Sequence, residues 1–234
     1  MTGHMKVNEN IWPTGYPECG LTNQSPIDIT SDVFVSNASL RIDFLGYNQL
    51  ISQFDVSNTG HAIQFSYVGE PSEAPQITGT ALYEETLTLS QLHFHWGQAD
   101  NAGSEHRING KPFELEIHLV HYNRDKYPTF NDALNAHNGV AVVAVFYMID
   151  EKNVKELDNI VEMVNEVASS GGSETAHLEH PFVLNHLLPD LSENINFYRY
   201  HGSLTTPPCT EGSLGLLLKQ WLTLAEIKLK LFER

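Results

Sequence analysis

Thr86-Leu87-Thr88-Leu89-Ser90-Gln91-Leu92-His93-Phe94-His95-Trp96 is the stretch that decides the architecture. Its alternation predicts a β-strand, because successive side chains of a strand point to opposite faces. Leu87, Leu89, Gln91, His93 and His95 fall on one face, and Thr88, Ser90, Leu92, Phe94 and Trp96 on the other. Two imidazoles two residues apart project side by side, close enough to share one metal ion. The same spacing occurs in strands whose histidines meet only backbone or carboxylate partners, so spacing alone leaves both readings open.

Working outward, Phe113–Tyr122 alternates as well. Glu114, Glu116, His118 and Val120 share a face opposite Leu115, Ile117, Leu119 and His121. If the two strands are neighbours, His118 joins His93 and His95. Three neutral nitrogens then converge with a fourth position open, the pattern of catalytic rather than structural zinc. Gln91 and Glu116 lie one repeat from these histidines on the same faces, where each could accept an imidazole's other N–H and fix its tautomer. His121, among leucines and isoleucine, reads as a satisfied core histidine. His106, His137, His177, His180, His186 and His201 show no partner pattern and read as surface or structural.

Val140–Ile149 is a continuous apolar run, as expected of a central strand buried on both sides. Gln53–Ser57 and Ala62–Tyr67 read as further strands around the turn Ser57–His61. A helix is predicted over Val154–Ala168, where Val154, Leu157, Ile160, Val161, Val164 and Val167 follow 3.6-residue spacing. Short helices are predicted over Phe130–Ala136 and Pro181–Leu187. The fold class is mainly β (α+β): a large twisted, mostly antiparallel central sheet with short surface helices. Residues 1–5 (MTGHM) read as an expression-vector scar, leaving 6–234 as a single domain. The Pro- and Gly-rich stretches Trp12–Gly20, Gly69–Gly79 and Thr205–Gly212 are too short for linkers.

Composition narrows the function. Of 234 residues, 41% are apolar and 18% charged, a globular mixture. Lys and Arg number 13 against 29 Asp and Glu, so 13 − 29 = −16, which argues against nucleic-acid or anionic-lipid partners. No apolar run reaches 18 residues, so no membrane span is expected. Cys19 and Cys209 fit buried apolar groups as well as a disulfide. Asn37-Ala38-Ser39 is a glycosylation sequon, and Asn23-Gln24-Ser25 a poorer one because Pro26 follows.

Six motifs in order resemble the alpha-class carbonic anhydrases: Asn23-Gln24-Ser25-Pro26-Ile27-Asp28-Ile29, Asn58-Thr59-Gly60-His61-Ala62, Gln91-Leu92-His93-Phe94-His95-Trp96-Gly97, Gly103-Ser104-Glu105-His106, Glu116-Ile117-His118-Leu119-Val120-His121, and Gly202-Ser203-Leu204-Thr205-Thr206-Pro207-Pro208-Cys209. The resemblance implies Zn2+ on His93, His95 and His118 at the base of a conical pocket. Zinc-bound hydroxide would attack CO2 to give bicarbonate. Thr205 would accept the hydroxide proton and donate to Glu105. Val120, Val142 and Leu204 would form the apolar wall, with Thr206 at the mouth and Gln64 and Gln91 as pocket amides. His61 takes the proton-shuttle position, a task suited to an imidazole with an unperturbed pKa of about 6.5. Without its flanking motif, His61 reads as a plain surface residue. Cys19 and Cys209 match the disulfide of secreted and membrane-anchored members, implying an oxidising compartment (secreted, periplasmic or luminal) and a removed signal peptide. Sulfonamide-type inhibitors and weak esterase side activity are further expectations.

Three departures from the family pattern stand out. An upstream Trp-Gly-Tyr segment is absent. Gly215 stands where the family usually has a pocket-wall Trp, which would leave a void or demand repacking. The chain ends at Arg234, some thirty residues before the family pattern does, which would leave a sheet edge able to pair with a second copy as a homodimer. The alternative function is a low-activity relative serving as an acidic binding or biomineral-matrix protein. Retention of His61, His93, His95, Glu105, His118 and Thr205 favours the enzyme. A zinc hydrolase reading is weaker, because no Glu is placed as a metalloprotease base.

Overall fold

A computed structural model describes residues 11–30, 39–59, 62–97, 103–149, 160, 163, 164, 167, 175–177, 181–190 and 195–224. Among these, eleven strands form one sheet. In chain order they are β1 Asp43–Leu45, β2 Phe54–Asn58, β3 Ile63–Tyr67, β4 Gln76–Thr78, β5 Leu87–Trp96, β6 Leu115–Tyr122, β7 Val140–Ile149, β8 Thr175–His177, β9 Phe197–Ser203, β10 Glu211–Leu218 and β11 Leu222–Leu224. Their spatial order is β8-β2-β3-β5-β6-β7-β10-β9, with β4 bridging β5 and β1. The expected mostly antiparallel sheet is observed; its parallel pairings among the described residues are those of β7 with β10 and, further along, with β11. Those pairings explain the unbroken apolar run of β7. Val143, Val145 and Tyr147 enter the main core, while Ala144 and Phe146 pack on the opposite face.

The main core lies on one face of the sheet. Leu92, Phe94, Ile117, Leu119, Val143, Val145, Leu214 and Leu216 are all buried there. Burying each such side chain is worth roughly 1.5–3 kcal/mol. Ile160, Met163, Val164 and Val167 are helical and buried in the same cluster. The rest of the helix expected over Val154–Ala168 lies outside the described residues.

One strand departs from strict alternation. Leu89 pairs with His121 but Gln91 pairs with Val120, so Ser90 is an extra residue in β5, a β-bulge. One extra residue exchanges the faces. Leu87 and Leu89 therefore join Leu92 and Phe94 in the core, while Gln91, His93 and His95 turn to the other side. The sequence alternation, which put Leu87 and Leu89 on the histidine face, is corrected by this bulge.

Shorter elements differ in detail. The helix expected over Phe130–Ala136 spans Phe130–Leu134, started by a capping box between Thr129 and Asp132. Pro181–Leu187 is not a single helix: Phe182–Val183 pairs as a strand with Leu50–Ile51, and only Leu184–Leu187 forms a 3-10 turn. Periodicity alone assigned no strand to 197–203 or 211–218, where Gly202, Gly212 and Gly215 dilute the pattern. Cys19 and Cys209 form a disulfide, which settles the open choice about them.

His121 is the core histidine expected, fully buried, with Nε2 sharing a 2.6 Å hydrogen bond with Tyr47 Oη. Burial pulls its pKa down to about 3. A depressed folded-state pKa means that the unfolded chain binds the extra proton. This contribution to stability is complete above pH ~6.5 and is lost as pH falls towards the folded value. At its steepest the loss is about 1.4 kcal/mol per pH unit. Urea-unfolding midpoints should fall between pH 6.5 and 4. Tyr47→Phe with His121→Leu, which removes both polar partners, should flatten that slope by close to one proton; an unchanged slope would clear His121 of the effect.

Candidate metal centre

Cross-strand register lays out the face opposite the main core. One row runs Gln64, His93, His118, Ala144 and Leu217 across β3, β5, β6, β7 and β10. The next runs Gln91, Val120, Val142, Gly215 and Tyr200 from β5 to β9. His95 stands two residues along from His93, so the three imidazoles meet at one point. Their ring centroids are 4.9 Å (His93–His95), 5.1 Å (His93–His118) and 4.6 Å (His95–His118) apart. One nitrogen from each lies within 4.8 Å of the others, and His95 Nε2 is 3.2 Å from His118 Nδ1.

The outer nitrogens decide which inner ones are offered. His93 Nδ1 donates to Gln91 Oε1 at 2.8 Å, leaving Nε2 as the lone-pair donor. His118 Nε2 donates to Glu116 Oε1 at 2.6 Å, leaving Nδ1. Burial, and then neighbouring His118, pull His93 down to about 3, so it stays neutral. Neutral imidazoles with their far N–H groups held by oxygen acceptors fit a zinc ion in both chemistry and orientation.

Glu116 serves more than His118. It is fully buried and also accepts from His106 Nδ1 at 2.6 Å and the His106 amide at 2.9 Å. Burial by itself would raise its pKa, but His106 and His118 beside it, each donating a hydrogen bond, outweigh this and hold the carboxyl well below the usual carboxylate range. With Nδ1 donating, His106 Nε2 accepts from Tyr200 Oη at 2.7 Å, and Tyr200 Oη lies 2.7 Å from Ser25 Oγ. Burial pushes the Tyr200 hydroxyl up, so it remains a proton-bearing donor. His106 and Tyr200 escaped the sequence analysis. One signal was available for His106: a buried carboxylate has two oxygens, and a single imidazole N–H uses only one.

The other expected residues group around a cavity of about 290 Å3. His93, His95 and His118 line it, together with Gln64, Gln91, Val120, Val142, Leu204, Thr205 and Thr206. Gln64 also donates to Ser66 Oγ at 2.9 Å. Glu105 Oε2 lies 3.3 Å from His95 Nε2. His61 lies outside the described residues, but Thr59 and Ala62 on either side of it line the cavity. Phe130 and Ser213 are lining residues that the sequence did not suggest as such, and Gly215 lines the cavity at the position expected of the pocket wall. The void expected at Gly215 is partly repacked: Tyr200, directly opposite on β9, lays its ring so close that a Cβ at 215 would come within 2.2 Å of Cε1.

Comparison with known proteins agrees with this geometry. The eukaryotic-type carbonic anhydrase family model matches residues 7–234. Human carbonic anhydrase 12 is 36% identical over 228 residues, covering 96% of this chain and 61% of that protein. Mouse carbonic anhydrase 6 is 33% identical over 241 residues, covering 99% and 71% respectively. Human carbonic anhydrase 7 is 33% identical over 232 residues, covering 97% and 84%. The chain thus spans about three fifths of the length of the first of these relatives and more of the other two. Matched along nearly all its length, including the strands that bring the three imidazoles together, this chain belongs to the eukaryotic-type carbonic anhydrase family.

Proposed function

We propose that the protein catalyses the reversible hydration of CO2 to bicarbonate and a proton, with Zn2+ held by His93, His95 and His118. The observation that carries this reading is the orientation of the triad, with Gln91 and Glu116 occupying the outer nitrogens of His93 and His118. When bound, zinc supplies a Lewis acid that makes water nucleophilic near neutral pH. Three protein ligands leave a coordination position for reactants, and all three line the cavity.

The chain's own residues do the rest. Val120, Val142 and Leu204 offer an uncharged CO2 apolar contact without competing hydrogen bonds, and Thr206 meets the anionic product at the mouth. Thr205 accepts the nucleophile's O–H and passes its own proton to a hydrogen bond with Glu105, aiming the attacking lone pair. His61 carries the released proton to buffer. Its flanks are pinned by Thr59 N–H donating to Ala62 O at 3.0 Å and Ala62 N–H donating to Thr59 Oγ1 at 3.1 Å. The Cys19–Cys209 disulfide supports an oxidising compartment such as the secreted one. Among the described residues no helix is long and apolar enough to cross a membrane.

Stopped-flow CO2 hydration with zinc quantified in the same sample tests the reading. Fast hydration with about one zinc per chain is expected, and stoichiometric zinc without hydration would overturn it. His61→Ala should slow turnover about tenfold or more in weak buffer, within the range of a lost proton-transfer group, and added imidazole should restore it. A variant indifferent to buffer would take His61 out of the mechanism.

A further inference from the structure

Two of the histidines that show no partner pattern in the sequence meet on the surface. His137 lies in the turn between the short helix Phe130–Leu134 and β7, and His201 lies on β9, at the end of the sheet order. Both are exposed, and their ring centroids stand 5.2 Å apart with the planes tilted by 31°. The scaffold beneath them is shared. The Asn138 amide donates to Gly212 O at 2.9 Å and the Gly139 amide to Ala136 O at 3.0 Å, which pins the turn to the start of β10. His201 pairs with Leu214 of that same strand. Backbone thus sets where the two residues stand, and side-chain rotation has only to turn the rings.

The spacing suits one ion. A metal–nitrogen bond of about 2.1 Å puts an ion ~3.2 Å from each ring centroid, and two centroids 5.2 Å apart then subtend about 110° at it, close to the tetrahedral angle. The triad's rings stand 4.6, 4.9 and 5.1 Å apart, a similar spacing. Lone pairs are also to hand. Among the described residues neither ring meets a carboxylate, whereas His106 meets Glu116 and His177 meets Asp55. His201 Nε2 has a long contact of 3.4 Å with Tyr83 Oη; donating there, it leaves Nδ1 to bind. Partial burial, and then Arg199 and His137, lower the pKa of His201, so the ring is neutral at pH 7. Arg199 opposes a cation here, but its guanidinium is tied back: Nε donates to Ala81 O at 2.8 Å, and Cζ lies 4.6 Å over the Tyr83 ring. The net charge of −16 draws cations to the protein as a whole.

We propose that His137 and His201 bind a Zn2+ ion of their own at the surface, with water completing a tetrahedral shell. The site is separate from the triad. Tyr200 lines the central cavity, and His201, next along β9, belongs to the opposite face. It depends on neither the triad nor CO2 chemistry. With two protein ligands against three, it is the weaker and more readily exchanged of the two sites. When filled, it clips the turn around His137 to β9 across the start of β10.

The test begins with protein dialysed against zinc-free buffer, which keeps the triad's ion and loses the weaker one. Zinc is then added while the imidazole resonances are followed by long-range 1H–15N correlation. The ring nitrogens of His137 and His201 should shift together as about one further zinc per chain is taken up. His137→Gln and His201→Gln should each lose that uptake, with CO2 hydration and the tightly held zinc unchanged. In His118→Ala the two rings should still respond to zinc, so failure of the triad assignment and failure of this site are told apart. Further uptake that persists in both glutamine variants places the ion elsewhere and overturns the site. So do two imidazoles that stand still as zinc is added. Inorganic phosphate that moves them where zinc does not would make the pair an anion site, which overturns the proposal as well.

Discussion

His118→Ala is expected to strip zinc from the protein and abolish CO2 hydration in the same step. His118 sits at the junction of two sets of interactions. Its Nδ1 faces the other two ligands, 3.2 Å from His95 Nε2, while its Nε2 donates to the buried Glu116. Alanine removes one ligand of three, so zinc affinity should fall well beyond the ~10–100-fold that loss of an outer hydrogen-bond partner costs. Glu116→Gln supplies the graded comparison. It keeps the volume and weakens the hold on His118 and His106, so an intermediate affinity loss of about 10–100-fold is expected. Glu116 keeps both bonds from His106 in His118→Ala, so near-ultraviolet circular dichroism should show the fold retained. Zinc by elemental analysis and hydration by stopped flow then decide: one zinc per chain and undiminished hydration in His118→Ala would falsify the ligand assignment.

That triad was legible because its pattern is local. His93 and His95 are two apart on a strand, His118 falls on the matching face of the next long alternating segment, and Gln91 and Glu116 each lie one repeat away. The unbroken apolar run of Val140–Ile149 announced a central strand for the same reason. What escaped was set by partners distant in sequence. The bulge at Ser90 exists because β5 must match β6 on both sides of it, and no feature of Thr86–Trp96 taken alone marks the extra residue. His106 reaches Glu116 through a loop, and its bond to Tyr200 spans 94 positions. Gly215 looked like a hole only against the family pattern, which usually sets a Trp there. Register with β9 places the Tyr200 ring over it, which partly repacks the expected void. Resemblance to a family supplied roles for Thr205 and Glu105 that their own surroundings in sequence could not have suggested.

Cys19→Ser with Cys209→Ser is expected to lower the thermal midpoint by about 5–15 °C. The bond joins residues 190 positions apart. In the chain-entropy account so long a loop stabilises by up to ~5 kcal/mol, and 2–5 kcal/mol is the usual cost of losing a native disulfide. For a domain of this size each kcal/mol moves the midpoint roughly 2–4 °C. Local contacts set how that loss should appear. The segment carrying Asn23, Gln24 and Ser25 is laced along the far side of the same junction. The Asn23 amide donates to Glu211 Oε1 at 2.6 Å, Gln24 Nε2 to Glu211 Oε1 at 3.1 Å, and the Ser25 amide to Ser203 Oγ at 2.9 Å. Those bonds do not need the sulfur bridge, so the double variant should still fold and should melt in one transition. Between Ser203 and Glu211 lie Thr205 and Thr206, whose loop is closed by the Leu204 amide donating to Thr210 O at 3.1 Å and the Cys209 amide to Thr206 O at 2.9 Å. Loosening this junction should therefore reach hydration as well as stability, with kcat/KM falling while zinc content holds. Reductant added to the unsubstituted protein should reproduce the lower midpoint and leave the double variant unmoved. Equal midpoints for the two proteins under oxidising conditions would mean that the hydrogen bonds alone hold the junction.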